Sequence, residues 1–203
     1  MKFFKWKIFA LTSGVCLLPI LLGVALWSKL PDSIAIHFDM NNNPDNFASK
    51  GFVVFMLPLL MVLLQAFCCF INDINASKHG ERVKFERATK WIIPVMINVL
   101  QPMTFIYALG NELDIRRVVV FIVGTILLVV GNYLPKFDYI KNYDINAEKA
   151  KKINRFIGYE TVIMGILFMI SLFFKPLASV VCLFLLIPYT IIGVVYGIVT
   201  AKK

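Results

Sequence analysis

Charge is scarce in this chain and negative charge scarcer still: 12 Asp and Glu stand against 21 Lys and Arg in 203 residues, and charged types make up 16% of the sequence. A soluble domain carries about 25%, so there is too little polar surface here to cover a water-facing exterior. Histidine is nearly absent, with only His37 and His79, both outside the apolar runs. No Gly-x-Ser-x-Gly and no His-Glu-x-x-His occurs, which removes two common hydrolase signatures. The four cysteines, Cys16, Cys68, Cys69 and Cys182, all fall in apolar stretches. Cys68 and Cys69 are adjacent rather than spaced to share a metal, so they read as small buried residues, with no disulfide framework, metal site or cofactor assigned.

What the chain has in abundance is apolar length. Hydrophobic types make up 59% of it. Six runs approach the roughly 20 residues that a helix needs to cross a bilayer while satisfying its own backbone. They are Ile8–Trp27, Phe52–Ile71, Trp91–Leu109, Val118–Leu134, Phe156–Phe174 and Leu177–Val199. The first is longer than a signal-peptide core and has no small-x-small cleavage site, so it reads as a retained span. The fold class is therefore an all-α integral membrane protein, a six-helix transmembrane bundle.

The formal charge of +9 raises nucleic acid as a partner. The basic residues, however, sit between apolar runs and form no stripe interleaved with aromatics, so no nucleic-acid role is assigned. Sixteen Lys and Arg fall on one side of the six spans, in the N-terminal tail, residues 72–90, residues 136–155 and the C-terminus, and five on the other. The positive-inside rule then predicts both termini in the cytoplasm of a plasma membrane.

The segment between the first two runs, residues 29–50, carries one His, three Asp and four Asn. Asn and Asp side chains favour turns, and Asn43 before Pro44 is biased toward extended backbone. His37 and Asp39 fall on one face of an extended segment, and Asp45 is near enough in sequence to fold back toward them. A cation there would lack a fourth ligand, so no metal is assigned. Turn scaffolding and contact with a partner stand side by side for His37, Asp39, Asn43, Pro44 and Asp45.

Leu30-Pro31, His37-Phe38, Pro44-Asp45 and Ser49-Lys50 running into an apolar span resemble the N-terminal module of the SdpI family of bacterial membrane proteins. Gly131-Asn-Tyr-Leu-Pro-Lys136 is similar to the Gly-Asn-x-x-Pro-Lys signature in that family's C-terminal part. The chain is thereby identified as a divergent member, with an N-terminal module over residues 1–71 and a four-span region over 72–203. Two departures are visible. Asn43 stands where the family has Gly, a tolerable change because Asn visits the left-handed region readily. After Lys136 the chain runs Phe137-Asp-Tyr-Ile-Lys-Asn-Tyr-Asp-Ile-Asn-Ala-Glu148 and lacks the family's continuation. The resemblance implies protection of a toxin-producing bacterium against a secreted membrane-active peptide, and for one member the tethering of a cytoplasmic transcriptional repressor.

Polar residues inside the runs complete the candidates. Glu160 lies a few residues inside the fifth run, roughly 7 Å deep at 1.5 Å per residue. It reads either as a proton or cation site or as a side chain reaching back to Lys152 or Arg155. Asn98 and Gln101 share a helix face beside Pro102, which withholds the amide that would bond the Asn98 carbonyl. Together with Asn132 they read as interhelical hydrogen bonding or as a cavity lining. Three classes of function follow: a non-enzymatic immunity protein, a small ion-coupled transporter or exporter, and an intramembrane hydrolase. The first is preferred because the resemblance implies it and it needs no catalytic residues, whereas the transporter lacks paired acidic residues and a clear inverted repeat.

Overall fold

The computed structural model describes residues 4–79, 83–136 and 146–202. Among them six helices are long and apolar enough to cross a membrane: Trp6–Ala25, Phe52–Ser77, Phe85–Ala108, Ile115–Lys136, Ala147–Ser171 and Leu177–Ala201. The chain is a multi-span helical membrane protein. It divides into two compact units, Met1–Arg116 and Arg117–Lys203. That division places the third long helix with the first two.

In the first unit, α1 (Trp6–Cys16) and α2 (Leu18–Ala25) form one broken span. Pro19 has no amide to give the Val15 carbonyl and its ring crowds that turn, so the helix breaks at Leu17. A hairpin follows, β1 (Ser33–Phe38) and β2 (Pro44–Ser49). A π-helical turn, Phe52–Met56, then leads into α3 (Leu57–His79). The last element is α4 (Val83–Ala108). Gly110, with φ of +88°, ends it, its N–H donating to the Tyr107 carbonyl; a side chain there would be strained. α1 packs against α3 and α4, and α2 and β1 pack against α4.

Polar side chains lie in the interior of this unit while large apolar ones face out. Thr12, Gln65, Asp73, Lys90 and Gln101 are buried, whereas Leu63 and Phe67 are 67% and 61% exposed. That inversion suits a solvent as apolar as leucine, where helix association runs on packing and hydrogen bonds rather than on burial of oil. Apolar packing concentrates at two places, Leu30, Ile34, Val53, Val54 and Phe105 under the hairpin, and Cys16, Ile93 and Ile97 between α1 and α4.

The second unit is built from α5 (Ile115–Tyr133), a short 3-10 turn Leu134–Lys136, α6 (Ala147–Ser171) and α7 (Pro176–Lys202). Asn146 caps α6, accepting from the Glu148 amide at 3.0 Å, and Glu148 sits where the helix dipole favours negative charge. Val120, Met164, Phe168 and Cys182 form its apolar core.

Candidate functional site

The polar segment 29–50, read from sequence as turn-rich loop, is a two-stranded antiparallel hairpin. Its register pairs Ile34 with Ala48, Ala35 with Phe47 and His37 with Asn46, with an irregularity around Ile36. A bulge of this kind adds a residue to one strand and resets which side chains face inward. Ile34 and Ala35 are accordingly both buried, and Ile36 is turned out.

Asp39 opens the turn. Its Oδ1 accepts from the Asn41 amide at 2.8 Å and the Asn43 amide at 2.7 Å, and Oδ2 accepts from Asn43 Nδ2 at 3.2 Å. The Asn43 backbone bond, with help from the Asn43 side chain, the Asn41 amide and nearby His37, holds the Asp39 carboxyl below the usual carboxylate range. The left-handed residue is Asn42, with φ of +66°; Asn43, where the resembled family has Gly, is not in that region. Across the hairpin, His37 Nδ1 donates to Asp45 Oδ1 at 2.5 Å. Asp45 thus folds back on His37, while Asp39 serves the turn backbone instead of joining them. Pro44 starts β2 opposite Phe38. Among the described residues no group of three or more His, Cys, Asp or Glu is arranged to hold a metal.

The turn is fastened to the connection between α4 and α5. Asn42 Nδ2 donates to the Leu113 carbonyl at 2.8 Å, and Arg116 Nη1 donates to the Met40 carbonyl at 3.0 Å. Phe38 meets Tyr107 edge to face, with centroids 4.9 Å apart. At the hairpin base Lys50 reaches Asp32 at 3.1 Å and lies 5.0 Å over the Trp27 ring.

Asn98 and Gln101 reach backbone carbonyls at proline breaks, the Val15 carbonyl also accepting a backbone N–H at the end of α1. Asn98 Nδ2 donates to the Val15 carbonyl at 2.8 Å, four residues before Pro19. Gln101 Nε2 donates to the Val53 carbonyl at 2.7 Å. In the π-helical turn the Leu57 amide bonds Phe52 five residues back, so the next carbonyl, Val53, would be served by residue 58, which is proline. Gln65, which the sequence reading did not single out, follows the same rule: its Nε2 donates at 2.8 Å to the Lys90 carbonyl, four residues before Pro94. Carbonyls left bare in hydrocarbon are costly; here neighbouring helices supply the missing donors.

Also unforeseen is a buried charge cluster at the end of this unit opposite the hairpin. Lys90 Nζ meets Asp73 Oδ1 at 2.5 Å, their side chains 1% and 0% exposed. Asp73 Oδ2 accepts from the Lys5 amide at 3.0 Å, and Lys5 Nζ pairs with Glu86 at 2.9 Å. Lys90 was counted above with a basic loop; it is inside α4. The available signal was spacing: Gln65, Cys69 and Asp73 recur every four residues on α3, as Glu86 and Lys90 do on α4.

In the second unit the signature is divided in role. A Cβ at Gly131 would meet the Val162 amide nitrogen at 2.8 Å, and one at Gly158 would meet Pro135 Cδ at 2.5 Å. Gly131 and Pro135 therefore set the close approach of α5 and its terminal turn to α6. Asn132 and Lys136 are exposed and touch each other, Lys136 Nζ donating to Asn132 Oδ1 at 3.4 Å. Most of the segment that departs from the family after Lys136 lies outside the described residues. Glu160 faces α7, where Oε2 stands 3.4 Å from the place of a Cβ on Gly193 and has no hydrogen-bond partner. Lys152 pairs instead with Glu148 at 3.1 Å, and Arg155 lies 6.0 Å over the Tyr159 ring.

Residues 14–62 match a family model described as a domain of unknown function, DUF1648. That stretch runs from the first span through the hairpin into α3. The chain is also similar to the immunity protein SdpI of Bacillus subtilis (strain 168), 25% identical over 167 residues that cover 79% of this chain and 78% of that protein. No solved structure matches the chain.

Proposed function

We propose, from the premise that this is a divergent SdpI-like membrane protein, that the chain protects its host cell against a membrane-active peptide toxin without catalysing a reaction. The observation that carries this reading is a likeness to a protein named for immunity along about four fifths of both chains. The hairpin is the part best suited to recognition. It is a polar, turn-rich element held in one conformation by the Asp39, Asn42 and Arg116 hydrogen bonds, so little ordering cost remains when a partner binds. In this account both termini are cytoplasmic and the hairpin faces outward, as the distribution of Lys and Arg implies. His37, Asp39, Asn43, Pro44 and Asp45 shape the recognition element: Asp39 and Asn43 by fixing the turn, His37 and Asp45 by presenting a paired polar surface. A signalling arm through a cytoplasmic repressor would use the basic connections at the opposite end.

The test is survival of a sensitive bacterium expressing the chain and challenged with a panel of membrane-active peptides and bacteriocins. Protection against at least one peptide, weakened by Asp45→Ala at matched membrane expression, is the expected result. No protection against any peptide would overturn the reading. A second reading, a small ion-coupled transporter or exporter, is favoured by one observation, the unpartnered carboxylate oxygen of Glu160 against Gly193. It predicts that Glu160→Gln abolishes activity while leaving expression intact.

A further inference from the structure

We propose that the apolar face of the hairpin is a docking surface for a cationic amphipathic peptide, contacted by Ile36, Met40 and Phe47 and rimmed by Asp39, Asp45 and Glu112. The proposal rests on the immunity reading and gives its partner a chemistry.

The three apolar side chains are 41%, 60% and 52% exposed. They do no work in the core, because Ile34 with Leu30, Val53, Val54 and Phe105 already fills the space beneath the hairpin. The sheet has two strands among the described residues, and β2 is mostly exposed along its length. The surface is also preformed. Asn42 and Arg116 fasten the turn to the segment around Leu113, which brings exposed Glu112 beside the hairpin tip.

Charge selects the occupant. Asp32 and Asp114 are neutralised locally by Lys50 at 3.1 Å and Arg116 at 2.7 Å. Asp39, Asp45 and Glu112 meet no Lys or Arg among the described residues. A chain of formal charge +9 thus places acidic residues that have no Lys or Arg partner among those described, Asp45 beside His37 included, next to exposed apolar side chains. An anionic lipid surface would be repelled by that rim. Amphipathic membrane-active peptides carry Lys and Arg on one face and large apolar residues on the other, which complements both halves of the patch and is drawn toward it before contact.

The experiment uses the full chain in nanodiscs of zwitterionic lipid, titrated with a fluorescein-labelled Leu/Lys amphipathic peptide and with its Leu/Glu counterpart, against empty discs. The Leu/Lys peptide is expected to bind the loaded discs about tenfold more tightly than empty ones, and less so as salt rises. Asp45→Asn combined with Glu112→Gln should return binding to the empty-disc value, Phe47→Ser should weaken it at every salt concentration, and the Leu/Glu peptide should show no gain. Equal binding by the variants, or by the Leu/Glu peptide, would overturn the docking surface. Unchanged melting of the variants shows that they fold; Glu112→Gln alone, outside the hairpin, is the second variant and should lose part of the gain. The survival assay separates the two claims. Protection kept by the neutralised variant overturns the surface and leaves immunity standing. Absence of protection by the unaltered chain overturns immunity, and the disc titration then reports on the surface alone.

Discussion

Lys90 and Asp73 sit 2.5 Å apart and almost wholly out of solvent, so removing either leaves a buried charge without its partner. Lys90→Met is expected to destabilise the protein by about 3–5 kcal/mol, and Asp73→Leu in the same background should recover part of that loss. Thermal unfolding in detergent of both single variants and the double checks it. Asp39 responds to pH. Its folded pKa is depressed, chiefly by the Asn43 amide, so its support of the turn is complete above the ordinary aspartate value of about 3.9 and is lost as pH falls through the lowered one. Hydrogen-exchange protection of the Asn41 and Asn43 amides should follow that window, and Asp39→Asn should remove the pH dependence. These roles were unevenly legible. The folding back of Asp45 toward His37 follows from residue types and spacing. That Asp39 would turn to the backbone depends on the turn geometry, and that Lys90 would be buried depends on a carboxylate seventeen positions away.

Helix by helix, prolines and amides act as pairs. Val53 is served by Gln101 because residue 58 has no amide to give. Gln101→Leu should cost about 1–3 kcal/mol by stranding a buried carbonyl. Pro58→Ala, which restores a donor, should recover much of it; additive losses in the double variant would contradict the pairing. At the α5–α6 contact Gly158→Ala drives a Cβ into Pro135 and should cost about 1–3 kcal/mol. Gly14→Ala, with nothing within 4 Å, should be neutral or slightly stabilising, as measured by the same unfolding transitions. The six spans were visible as apolar runs because their length is fixed by bilayer thickness. Their true ends were not. α3 and α4 continue through Asp73, Glu86 and Lys90, charges that read as loop until their partners are seen. The hairpin was hidden for the opposite reason: its strands are short, the second and the turn between them are rich in turn formers, and a bulge breaks the period of two by which strands are recognised.

For the molecule as a whole, each unit buries some of its polar side chains while many leucines and phenylalanines of its helices face outward, and a hairpin closes one end of the first unit. Composition and the two resembled motifs made the membrane class and the likeness to SdpI readable from the sequence. The nearness of Glu112 to the hairpin was not readable, because it depends on the bond between the turn and the segment that follows α4. The central claim is protection of the membrane itself, and it is tested most directly by the membrane potential of sensitive cells after addition of a peptide from the challenge panel. Cells expressing the chain should hold their potential from the first minutes, and equally with Glu160→Gln in place. Collapse at the rate of cells lacking the chain would contradict the account, and protection abolished by Glu160→Gln would shift it to transport.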